Sequence, residues 1–75
     1  MPHAVLKLMR VLCRRIAAHE AQAALDARRA HDVEEEGRYG EAVVLRLVAR
    51  GHRIRILELR SQIALLEAVF GPGRD

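Results

Sequence analysis

Aromatic residues are nearly missing from this chain: one Tyr, one Phe and no Trp among 75 residues. A core anchored on large rings is thereby excluded. Proline occurs only at Pro2 and Pro72, so nothing between them forbids long helices. Cys13 is the only cysteine. It allows no internal disulfide, which fits a reducing cytoplasm. No apolar run approaches the roughly 20 residues needed to span a bilayer. The N-terminus lacks the long apolar core and small-residue cleavage site of a secretory signal. A cytoplasmic protein without a membrane span is the expectation.

Ala, Leu, Arg and Glu dominate the sequence, and all four are strong helix formers. The net charge is +3 and the pI about 10.0. That balance permits an acidic protein or nucleic-acid partner without requiring either. The Arg- and Ala-rich composition suggests a GC-rich bacterial or phage genome.

Val5, Met9, Leu12 and Ile16 repeat at alternating four and three spacing. His19, Ala23, Asp26, Ala30 and Val33 continue the register, predicting one amphipathic helix over about residues 2–36. Pro2 suits its first turn. Ala17, Ala21, Ala24 and Ala27 would let another helix approach closely. Gly37 can take the left-handed conformation that ends a helix, and Gly40 offers a second break, so the turn is expected at 37–40. Glu34, Glu35 and Glu36 oppose the helix dipole there. An alternative follows: Asp32 and Glu35 have capping-box spacing and could start a further helix near Val33.

A second helix is predicted over about 41–70, followed by a tail at 71–75 that Gly71, Pro72 and Gly73 cut off sharply. Leu45, Val48, His52, Ile56, Leu59, Ile63, Leu66 and Phe70 form one apolar seam. Val43, Leu47, Ile54, Leu57, Leu65 and Val69 form another on the far side. Together they cover roughly half the circumference, whereas a surface helix needs an apolar arc of only about 100°. Such a helix must be covered from two sides, and a chain this short cannot supply both covers. Gly51 weakens the middle by roughly 1 kcal/mol relative to Ala. A strand over 53–59 is the rival reading, but its alternation fails at Leu57.

The run Gly37-Arg38-Tyr39-Gly40-Glu41-Ala42 resembles the inter-helix turn of tetratricopeptide repeats. In that family a glycine, an aromatic two residues on and an alanine three further on pack two antiparallel helices. Ala49 falls where the family favours a small residue. The likeness covers about 15 residues, and no second repeat follows. Asp26, Arg29 and Ala30 depart from the family's large residues. What the resemblance implies is a helical hairpin.

Four candidate sites follow. Arg46, Arg50, Arg53 and Arg60 make a ridge that could contact phosphates or simply keep an apolar helix soluble. Lys7, Arg10, Arg14 and Arg15 flank an apolar face that could meet an anionic membrane or a partner's groove, though packing against Ile63, Leu66 and Phe70 is the simpler use. His19, His31 and His52 with nearby acids lack the repeated Glu-x-x-His pattern of a metal-binding bundle, so no metal or cofactor is expected. Arg55 and Glu58 interrupt the wide apolar arc, and could pair across a two-fold axis. Cys13, placed among Met9, Leu12 and Ile16, is expected to be buried and inert. No nucleophile, base and orienting acid form a set, so an enzyme is not expected.

The expectation is an all-α antiparallel two-helix hairpin that dimerises into a four-helix bundle. Its function would be non-enzymatic: an adaptor, chaperone-like protein or regulator that binds another protein. The protein interface, either the dimer seam or another protein's docking surface, is expected at Val43, Leu47, Ile54, Leu57, Leu65 and Val69, with a homodimer expected. The alternative is a dimeric nucleic-acid-binding regulator using the arginine ridge.

Overall fold

A computed structural model describes residues 1–71. It is an all-helical hairpin of two helices, α1 (His3–Glu35) and α2 (Tyr39–Phe70). They lie side by side in a rod of 58 × 15 × 14 Å. The part of the expected tail at 72–75 lies outside the described residues.

α1 begins without a side-chain cap. The Pro2 carbonyl instead accepts from the Val5 and Leu6 amides, each at 3.1 Å. The helix ends at Gly37, whose φ of +79° is the left-handed region. The Arg38 amide donates to the Val33 carbonyl at 2.8 Å and the Gly37 amide to the Glu34 carbonyl at 2.9 Å. This pair of bonds is the Schellman closure. A non-glycine residue at position 37 would be strained.

The alternative helix start near Val33 is overturned, because α1 runs unbroken past it to Glu35. The unfavourable glutamates are countered from outside α1. Arg38 pairs with Glu36 at 2.9 Å and with Glu41, while Arg46 pairs with Glu34. The bond to Glu36 and the charge of Glu41 hold the Arg38 guanidinium above its already high ordinary value. Gly40 is not a second break; it sits in the first turn of α2, and Glu41 there complements the dipole. The strand expected as a rival over 53–59 is also overturned, since α2 is continuous through it and through Gly51. Gly71 closes α2, its amide donating to the Glu67 carbonyl at 2.8 Å. A Cβ at that position would lie 2.2 Å from the same oxygen, so the approach needs glycine.

The inner seam of α1 follows the four-three register residue for residue. Leu12, Ile16, Ala23, Asp26, Ala30 and Val33 are buried, and Val5, Met9 and His19 half-buried. The inner seam of α2 is Ala42, Leu45, Ala49, His52, Ile56, Leu59, Ile63 and Leu66, again alternating three and four. Two apolar clusters result. At the open end Leu12, Ile16, Ile56 and Leu59 pack with Ile63 and Leu66. Near the turn Ala30, Val33 and Ala42 pack with Leu45. These contacts make the helices antiparallel. Small residues dominate the second cluster, which lets the backbones approach.

Two expected seam residues are displaced. Val48 and Phe70 lie exposed, at 45 % and 41 %, while Ala49 and Ala42 take inner positions. Cys13 is exposed rather than buried. It follows Leu12 by one position and so points to the side of the seam.

Candidate functional site

Two features of the hairpin carry chemistry: a polar layer inside the seam and the uncovered sides of α2. The polar layer separates the two apolar clusters. His19 and His52 meet across the hairpin with their Nδ1 atoms 2.7 Å apart. Asp26 is 8 % exposed. Its Oδ1 accepts from Gln22 Nε2 at 3.0 Å, while its buried Oδ2 has no hydrogen bond and faces His52 Nε2 at 3.8 Å. One tautomer pattern suits the geometry, though Asp26 Oδ2 stays without a hydrogen bond. With a hydrogen on Nε2, His52 faces the carboxylate with a donor and presents a bare Nδ1 to the Nδ1–H of His19. The reverse pattern would point a lone pair at the carboxylate. The layer is a hydrogen-bonded register lock between helices. Among the described residues no three His, Cys, Asp or Glu side chains gather as metal ligands would. His31 instead faces Glu35 on its own helix at 3.5 Å, both largely exposed.

The uncovered sides of α2 hold the expected interface residues. Val43, Leu47, Ile54, Leu57, Leu65 and Val69 are all exposed, from 49 % to 66 %. They do not form a single row. Val43, Leu47, Ile54 and Leu57 each precede an inner-seam residue by two positions, so they form an outer stripe away from α1. Leu65 belongs to a different row, one residue before Leu66, and Val69 continues that row along one flank. Val44 and Val48 share that flank and are exposed too. Sequence reasoning did not group them with these exposed residues. The available signal was the strict three-four alternation from Ala42, which leaves Val44 and Val48 outside. On α1, Leu8 is exposed beside the same flank. With Leu12, Gln62, Leu65 and Leu66 it lines a shallow groove of about 240 Å³.

The arginines occupy the opposite flank. Arg46, Arg53 and Arg60 each follow an inner-seam residue by one position, which turns them toward the side of α1. Arg46 pairs with Glu34, and Arg60 donates to Glu20 at 3.0 Å. Arg50 lies on the outer stripe. Among the described residues Arg50 and Arg53 have no ion pair. Arg55 pairs with Glu58 of its own helix at 2.8 Å; a pairing between copies was one reading of the sequence.

No described helix is long and apolar enough to cross a membrane. No family model, curated protein or solved structure matches this chain.

Proposed function

We propose that this chain is a small non-enzymatic interaction module, an adaptor, chaperone-like protein or regulator that works by binding another protein. A homodimer arranged as a four-helix bundle is its assembled form, and the cytoplasm its place. The observation that carries this reading is the run of exposed aliphatic side chains along α2, from Val43 to Val69. Contiguous apolar patches beyond a few hundred Å² are rare on monomeric proteins and mark interaction surfaces. Neither helix of the hairpin covers them.

The arginine ridge supports a nucleic-acid reading less well. Two of its four guanidinium groups are already engaged by α1 carboxylates. The ridge has no aromatic side chain on which bases could stack.

Light scattering over a concentration series tests the proposal. The expected mass is twice the 8.4 kDa of one chain. A well-folded monomer at millimolar concentration that binds no hydrophobic dye would overturn it.

A further inference from the structure

We infer that a second copy of this chain packs antiparallel along the flank of α2 that carries Val44, Val48, Leu65 and Val69, with Arg55 of each copy set against Glu58 of the other. The inference rests on the interaction reading above and names its partner.

It comes from the order of residues on the flank. Positions 44, 48, 51, 55, 58, 62 and 65 each stand one residue before an inner-seam position, and 69 extends the row. They form a second seam, about 100° round the helix from the first. Outward from the midpoint between Ile56 and Leu57, this seam has the same character in both directions. Arg55 and Glu58 come first, then Gly51 and Gln62, then Val48 and Leu65, then Val44 and Val69. A two-fold axis at that midpoint sets aliphatic against aliphatic at both ends. At the centre it sets opposite charges against each other twice. Gly51 has open space where its Cβ would be, room for the Gln62 side chain of the second copy. A parallel copy in register would instead set Arg55 against Arg55 and Glu58 against Glu58.

Two further observations favour the same arrangement. The flank has a groove near each end. One, about 240 Å³, lies between Leu8 of α1 and Leu65; the other, about 430 Å³, lies between Arg29 of α1 and Val44. The two-fold axis brings Val48 of the second copy to the first groove and Val69 of the second copy to the other. The ends of the rod also differ in charge. Lys7, Arg10, Arg14 and Arg15 stand at the open end with no acid among residues 1–15. The turn holds Asp32, Glu34, Glu35, Glu36 and Glu41 against Arg38 and Arg46. Antiparallel copies place each basic end beside an acidic one, which favours this orientation during encounter.

Arg55→Glu and Glu58→Arg test the seam by sedimentation equilibrium at low salt, with circular dichroism as the check on helix content. Each substitution alone sets like charges across the axis. The expected result is a dissociation constant raised roughly tenfold to a hundredfold. An equimolar mixture of the two variants should restore the dimer, because one copy then carries two glutamates and the other two arginines. Loss of the Arg55–Glu58 pair within one helix cannot be repaired by mixing, so the rescue separates the two roles. A dimer indifferent to both substitutions, or a mixture no tighter than either variant, would overturn this seam and leave the broader reading standing. A wild-type chain that stays monomeric and binds no hydrophobic dye would overturn both.

Discussion

The two flanks of α2 differ in what already lies against them. On one, Arg46 and Arg60 reach Glu34 and Glu20 of α1, so the chain closes that side with its own charges. On the other, Val44, Val48, Leu65 and Val69 are exposed beside open grooves. Position relative to the inner seam decides this. Arg46 and Arg60, one step after Leu45 and Leu59, reach carboxylates of α1, whereas Val44, Val48, Leu65 and Val69, on the other side of the seam, meet solvent. The comparison teaches that the exposed large aliphatic side chains of α2 are confined to the outer stripe and one flank. The other flank is paired with α1 at Arg46 and Arg60.

The largest effect is expected from charging the open flank. Val48→Glu combined with Leu65→Glu should weaken self-association by about 4 kcal/mol, near a thousandfold, because four carboxylates would enter one apolar seam. Both positions are exposed in the hairpin, so helix content should stay unchanged. The same charges at Val43 and Leu47, on the outer stripe, should weaken it far less. Mass measured across a dilution series decides. Equal loss from both pairs would mean that the flank is not distinct from the rest of the exposed surface.

An intermediate effect is expected inside the seam, where both flanks take their orientation from the polar layer. His52→Leu leaves His19 Nδ1 without its partner and puts an apolar side chain in place of the ring that faces Asp26 Oδ2, and should cost about 1–3 kcal/mol. Replacing His19, Asp26 and His52 together with leucine removes every group that needs a partner. That variant should be as stable as the wild type or more so, with a less defined helix register. Urea denaturation at one fixed chain concentration compares them, since dimerisation makes stability concentration-dependent. If the triple variant loses as much as the single one, the layer contributes packing rather than a register lock.

The α1 seam was legible in the sequence because its spacing alone, from Val5 to Val33, names the buried positions. The α2 seam was legible only in part. Hydrophobicity ranks Val48 above Ala49, yet Ala49 is the buried one. Facing it is an α1 seam made of Ala23 and Ala30, which draws the backbones together and leaves room only for small side chains. Periodicity of one helix cannot reveal that, because the space belongs to two. The His19–His52 contact and the Arg46–Glu34 and Arg60–Glu20 pairs were hidden for the same reason: each depends on the register between helices. Counting outward from the hairpin turn would not have brought His19 opposite His52, since the two stand at unequal distances from the helix ends. The interface residues were sought among the apolar side chains beyond the seam, and all six lie exposed. Dividing them between an outer stripe and a flank required the seam to be known first.

The smallest effect belongs to the closed flank. Arg46→Gln, Arg53→Gln and Arg60→Gln together remove two exposed ion pairs, which should change folding stability by about 1 kcal/mol or less and leave the mass of the assembly unaltered. The same variant also weighs the nucleic-acid reading. With Arg46 and Arg60 held by α1 carboxylates, only Arg50 and Arg53 of the ridge stand ready to displace counterions. Binding of an oligonucleotide through the ridge should therefore show a shallow dependence on salt, with a logarithmic slope of about two on duplex DNA. Fluorescence anisotropy at several salt concentrations gives that slope. A slope near four or above that collapses in the triple variant would mean that phosphates displace Glu20 and Glu34. The flank closed by charge would then be a binding surface in its own right, and the contrast with the open flank would fail.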